Sequence, residues 1–206
     1  MGLYDHYVLP RILNFAMRQQ QLAPYRQRAL GAARGRVLEI GMGSGLNFPY
    51  YPALTTLVVG LEPHAELRRL AARNASGILA PIAVAILAGS AEAIPLAQAS
   101  VDTVVSTWTM CSIPNISAAL REMHRVLRPD GQLLFAEHGL APDAHVRRWQ
   151  RRLSPVWSRI AGGCHLERPM REIIEEAGFE ISKLETGYMP GPKLMTFMYE
   201  GRARPI

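Results

Sequence analysis

Cysteine is scarce: the 206-residue chain holds two, Cys111 and Cys164, far apart and without a C-x-x-C partner. That excludes a disulfide framework and the common zinc-binding patterns. Long apolar runs are also missing. The longest, Ile78–Ala88, contains Pro81 and is too short to span a bilayer; it reads as a loop entering a buried strand. The N-terminus lacks the charge–apolar–small-residue order of a secretion signal, so the expectation is a cytoplasmic protein. No repeat, low-complexity tract or linker breaks the chain, and its length suits one domain over residues 1–206. Lysine is nearly absent, since 21 of the 23 basic residues are arginine. A net charge of +6 raises nucleic acid as a partner. The arginines are dispersed, however, and no nucleic-acid module accompanies them. The expectation is no nucleic acid and no obligate protein partner. Solvated helix faces account for the charge, with peripheral contact to an anionic membrane as the competing reading.

The most informative stretch is Val37–Gly45, V-L-E-I-G-M-G-S-G. A strand-like run enters three glycines at alternate positions, Gly41, Gly43 and Gly45. So tight a turn needs residues without a Cβ, which also lets a ligand lie against the main chain. Glu62 ends a second strand-like run, Thr56–Leu61, placed to accept hydrogen bonds from two ribose hydroxyls in a doubly wound sheet. A dinucleotide fold would want its third glycine at position 46, which is Leu46. E-x-G-x-G-x-G, with Glu39 two residues before the first glycine, instead suits a cofactor with no phosphate and a cationic end. S-adenosylmethionine (SAM) fits that description.

Strand and helix signals alternate, which predicts a parallel sheet with helices on both faces. Leu9–Leu30 reads as an opening helical segment interrupted by Pro24. Strands are predicted at Arg36–Ile40, Thr56–Leu61, Ala83–Ala88, Thr103–Thr107 and Gln132–Glu137, and closing strands at Glu180–Thr186 and Met195–Glu200. Helices are predicted from about Asn47, then at His64–Asn74, Ile116–Leu127, Asp143–Ala161 and Arg168–Ala177. Asp102, R-P-D-G at Arg128–Gly131 and Gly187–Pro192 read as turns.

Taken together, these motifs resemble the class I SAM-dependent methyltransferases of the type 11 group. V-L-E-I-G-M-G-S-G is similar to the first motif and L-E-P at Leu61–Pro63 to the second. G-S-A-E-A-I-P-L at Gly89–Leu96 resembles the adenine-flanking segment, V-D-T-V-V-S-T at Val101–Thr107 the fourth strand, and R-V-L-R-P-D-G-Q-L-L-F-A-E-H the approach to the fifth. A narrower resemblance is to the methyltransferase-like alkyl thiol S-methyltransferases. It rests on N-F-x-x-Y at Asn47–Tyr51, E-H at Glu137–His138, W-Q at Trp149–Gln150 and G-C-H-L-x-R at Gly163–Arg168. The mammalian members carry an N-terminal membrane anchor, which the basic and polar Met1–Gly31 does not resemble. The resemblance implies a Rossmann-like, mostly parallel seven-stranded sheet in the order 3-2-1-4-5-7-6. An N-terminal helical lid over residues 1–31 and a cap insertion over 143–168 would complete the domain.

The implied chemistry is methyl transfer from SAM, releasing S-adenosylhomocysteine, to a small hydrophobic acceptor, with a thiol favoured. Phospholipid N-methylation and silent SAM binding are the rivals. Cofactor contacts are expected from Glu39, Gly41, Gly43, Gly45, Asn47, Glu62, Pro63, Ser90, Ala91, Thr107 and Trp108. Ser90 stands where many type 11 sequences carry Asp. Acceptor contacts are expected from Trp108, Cys111, Trp149, Cys164 and Arg168. His138 and His165 are candidate bases, because histidine titrates near neutrality; ordinary packing is the competing reading for Trp108 and Cys111. Tyr4, Tyr7, Leu9 and Leu13 are candidate lid residues. Val146, Trp149, Leu153, Val156, Trp157 and Ile160 follow helical spacing, as a packed cap or an interfacial helix. The other histidines show no metal-ligand spacing, so no metal is expected.

Overall fold

The computed structural model describes residues 9–77 and 82–206. Seven strands form one sheet: β1 (Gly35–Ile40), β2 (Thr55–Leu61), β3 (Ala83–Leu87), β4 (Val101–Thr107), β5 (Leu127–His138), β6 (Phe179–Tyr188) and β7 (Phe197–Pro205). Their order is β3-β2-β1-β4-β5-β7-β6. The first five are parallel, and β7 runs antiparallel to both β5 and β6. The helices are α1 (Leu9–Met17), α2 (Ala23–Leu30), α3 (Ala65–Ala75), α4 (Ile116–Val126), α5 (Ala144–Ile160), α6 (Met170–Glu176) and α7 (Lys193–Thr196).

The central strands are apolar on both faces, as a sheet covered on both sides requires. Alternation sends Leu38, Ile40, Val59, Leu61 and Val104 into one core layer. Their neighbours Val37, Val58 and Val105 enter the other, together with Leu134 and Ala136. Helix α4 closes the first layer through buried Ala119, Leu120, Met123 and Val126, spaced for one helical face. The Asn115 side chain caps that helix by accepting from the Ala118 N–H.

Four sequence expectations change. The helix expected from Asn47 is only a short 3₁₀ turn, Phe48–Tyr50. Pro49 suits a first turn, but Pro52 cannot continue one, so the chain leaves as extended backbone at Tyr51. R-P-D-G lies within the extended run of β5, which begins at Leu127; regular pairing with β4 resumes at Thr103 with Gln132, after a register shift. Asp102 likewise belongs to β4, where its side chain accepts from the Arg36 N–H at 2.7 Å. The break in the opening segment falls before Pro24, which sits in the first turn of α2, where its missing N–H costs nothing.

Helix α5 docks through a partly polar face. Its buried positions are Val146, Gln150 and Ser154. Gln150 accepts from the Ala141 N–H at 3.0 Å and donates to the Gly139 and Leu194 carbonyls, each at 3.1 Å. Ser154 accepts from the Leu166 N–H. The apolar stripe divides: Val146 is buried and Trp157 lines the cavity, while Trp149 is 41% exposed, Val156 60% and Ile160 53%. Among the described residues no helix is long and apolar enough to cross a membrane.

Candidate active site

The carboxyl ends of the parallel strands open onto one cavity of about 680 Å³, where an open α/β sheet binds its ligands. One wall is the turn after β1. Gly41, Gly43 and Gly45 have φ of +60°, +57° and +79°, a region that side chains with a Cβ rarely enter. A Cβ on Gly41 would collide with the Thr109 side chain. The turn thus presents bare main chain to the cavity.

Behind it lies a buried polar network. The Glu39 carboxylate accepts from Asn47 Nδ2 at 2.8 Å and from the Tyr51 hydroxyl at 2.7 Å. Asn47 also donates to Thr107 Oγ1 at 2.9 Å and accepts from Arg26 at 2.6 Å. Burial pushes the Glu39 carboxyl up to about 7, while the hydrogen bonds from Tyr51 and Asn47 and the charge of Arg26 oppose the rise. Glu62, at the end of β2, accepts from Gly43 N–H at 3.0 Å through one oxygen and from His64 N–H at 2.9 Å through the other. The glycine turn and the second acidic residue are therefore locked together. Burial raises the Glu62 carboxyl as well.

The N-terminal helices bring in residues that sequence reasoning did not assign. Arg26 on α2 spans from Asn47 to the Met17 carbonyl and lies 5.0 Å from the centre of the Trp108 ring. Asn14 on α1 accepts from Ser44 Oγ at 2.6 Å, joining that helix to the glycine turn. Leu9 and Leu13 line the cavity as expected of lid residues, while Tyr4 and Tyr7 lie outside the described residues. The only sequence signal for Tyr51 is the N-F-x-x-Y run, and Arg26 is one arginine among many.

The cavity lining also carries sulfur and imidazole. Trp108, just past β4, has φ +48°, a strained value for a large residue, and its buried Nε1 has no hydrogen-bond partner among the described residues. Beside it Cys111 and His138 line the cavity together with Cys164 from the loop after α5. Cys164 Sγ lies 3.1 Å from His138 Nε2 and accepts from Trp157 Nε1 at 3.4 Å. Hydrogen bonding from Cys111, then from His138, draws the Cys164 thiol down to about 4 against the effect of burial. His138 moves up: burial lowers it, but the hydrogen bond and charge of the Cys164 sulfur, with the charge of Glu137, together outweigh burial. The neighbouring Glu137 is fully buried and accepts from Ser106 Oγ and from the Thr109 and Met110 N–H groups, fixing the turn after β4.

Of the residues expected at the site, the cavity gathers Glu39, Gly41, Gly43, Asn47, Glu62, Pro63, Ser90, Ala91, Thr107, Trp108, Cys111, His138 and Cys164. Gly45 shapes the turn against the Phe48 ring. Three others lie outside the cavity lining. Trp149 stands on the outer face of α5, near His145 and Arg152. Arg168 donates to the Met110 and Ile113 carbonyls, bracing the loop that carries Cys111. His165 turns its ring toward Glu167 at 3.3 Å, and its N–H donates to the Cys111 carbonyl.

A glycine turn, an acidic residue ending the second strand and an apolar cavity at the strand ends define an α/β protein built for a nucleoside cofactor. The particular family follows from comparison: the chain belongs to the SAM-dependent methyltransferases. Residues 38–135 match the methyltransferase domain model. Thiol S-methyltransferase TMT1B of Rattus norvegicus is 35% identical over 158 residues, 76% of this chain and 64% of that one. Its Homo sapiens counterpart is 32% identical over 178 residues, 82% and 72% of the two chains. The chain thus spans roughly two-thirds of these relatives' lengths. A SAM-dependent methyltransferase from Aquifex aeolicus superposes with a TM-score of 0.68 over 96% of this chain and 98% of that one; at 17% identity this shows the shared fold alone.

Proposed function

We propose that this protein transfers a methyl group from SAM to a small apolar thiol. The observation that carries the reading is one continuous cavity. Its lining joins the bare glycine turn and Glu62 with Cys111, His138 and Cys164. The glycine cradle, whose φ values exclude side chains, and the two buried acids suit a nucleoside with a cationic amino-acid tail. Glu62 would take the ribose hydroxyls, the turn would face the amino-acid end, and Glu39 would balance its positive charge. When bound, SAM supplies a methyl group on a sulfonium, open to in-line displacement.

The chain's own residues then have three tasks. Leu9, Leu13 and Met17 of the N-terminal segment, with Ile113, Trp157 and Leu166, exclude water from the acceptor. Trp108, held in a strained conformation, is a fixed part of the lining. His138 Nε2, 3.1 Å from Cys164 Sγ, lines the cavity where a thiol acceptor must present its sulfur as thiolate, the reactive form. The thiol assignment also draws on the similarity to the thiol S-methyltransferases. The test is release of S-adenosylhomocysteine with alkyl thiols, lipid amines and phenols offered in parallel; turnover of amines or phenols alone would refute it.

One surface favours a second property, peripheral contact with an anionic bilayer. Trp149, Leu153, Val156 and Ile160 of α5 and Ile12 and Phe15 of α1 are exposed, on the two helices that also contribute to the cavity. Arginines 147, 148, 151, 152 and 159 flank the α5 stripe. Such contact would bring hydrophobic acceptors to the cavity from the membrane.

A further inference from the structure

The chain's two cysteines, distant in sequence, meet in space. Cys111 lies past β4, His138 ends β5 and Cys164 follows α5. One ligand atom from each, Sγ, an imidazole nitrogen and Sγ, lies within 4.8 Å of the other two. The spacing gave no hint of this, because the ligands come from three separate elements. We infer that Cys111, His138 and Cys164 form a three-ligand site for zinc or a similar thiophilic divalent cation, whose fourth position opens onto the cavity and takes the sulfur of the acceptor. The role of the fourth ligand rests on the thiol reading proposed above; the metal site does not.

Geometry and chemistry agree. Zinc–sulfur bonds of about 2.3 Å and zinc–nitrogen bonds of about 2.0 Å place tetrahedral ligand atoms roughly 3.5–3.8 Å apart. His138 Nε2 and Cys164 Sγ, now at 3.1 Å, need only a slight spreading. Two thiolates and one neutral imidazole cancel the charge of a divalent cation, so the loaded site is neutral and its burial is not penalised. Two sulfurs and one imidazole are a soft donor set that selects zinc over magnesium or calcium. All three residues line the cavity, which leaves one direction open to a ligand, the arrangement of catalytic rather than structural zinc.

The acceptor R–SH binds the metal as R–S⁻ and its proton passes to water. A lone pair of that sulfur forms the new S–CH₃ bond while the methyl–sulfonium bond breaks, its electron pair remaining on the departing sulfur. The neutral thioether product is a weak ligand and yields its place to water. A free thiol of pKa about 8.5 is only ~3% thiolate at pH 7, whereas a coordinated thiol is deprotonated outright. The expected gain in thiol turnover is at least about tenfold.

The test uses the full chain, stripped with a chelator and titrated with Co²⁺ and with Zn²⁺. The expected result is one ion per chain and, with Co²⁺, a thiolate-to-metal charge-transfer band that only these two cysteines can supply. Cys164→Ser and His138→Gln should each weaken binding at least about tenfold; circular dichroism shows whether each variant is folded, and Cys111→Ser provides a third. No stoichiometric binding, or a band that survives both cysteine variants, would overturn the site. Thiol turnover equal with and without metal would overturn the activating role and leave the thiol reading standing. Stoichiometric binding with no thiol turned over would instead overturn the thiol reading, and the activation step with it.

Discussion

The hydroxyl of Tyr51 donates to the carboxylate of Glu39 at 2.7 Å, inside the protein and directly behind the glycine turn. Both residues are buried, so this bond supports a charge that water cannot reach. Tyr51→Phe keeps the ring and removes the donor. The expected cost is about 1–2 kcal/mol of stability, read as a lower denaturation midpoint with unchanged m-value. It should also raise the pH at which Glu39 ionises.

Glu39 makes stability and cofactor affinity move in opposite directions with pH. Its carboxyl rises from 4.5 to about 7 on folding, because burial favours the neutral form. The stability it contributes is complete below about pH 4.5 and is lost as pH rises through about 7. A cationic ligand prefers the ionised carboxylate, so SAM affinity should increase over the same window. Calorimetric titrations and thermal melts between about pH 5.5 and about 8.5 check both trends, and Glu39→Gln should flatten each. Parallel trends would contradict this role.

Glu62→Ala should weaken SAM binding about 10- to 100-fold, the loss of charge-assisted hydrogen bonds to two hydroxyls. It also releases the Gly43 and His64 N–H groups. Glu62→Gln separates the effects, since it retains an acceptor for the main chain but loses the charge. Wild-type affinity in both variants would remove Glu62 from the cofactor site.

The sheet was legible because its signals are local. Strand alternation, the glycine spacing and Glu62 lie within short windows, and the strand order came with the family resemblance. The Asn47 helix was misread because Pro52 acts one turn further on and cuts the element short. The packed face of α5 was not legible for another reason: Gln150 and Ser154 are buried through hydrogen bonds to loop backbone, which apolar periodicity cannot register. The convergence of Cys111, His138 and Cys164 was invisible because it depends on three strand- and helix-ends meeting.

The exposed apolar residues of α1 and α5 should bind anionic vesicles. Val156→Glu with Ile160→Glu removes two of the most exposed apolar side chains of α5. Co-sedimentation with phosphatidylserine-containing vesicles should fall at least about fivefold while SAM affinity holds. Unchanged co-sedimentation would leave the stripe without a membrane role.

The most direct test of the account is S-adenosylhomocysteine release by the purified chain with alkyl thiols, lipid amines and phenols offered separately at neutral pH. Turnover is expected with thiols and with neither of the other two classes. Turnover of an amine or phenol, with thiols inert, would contradict it.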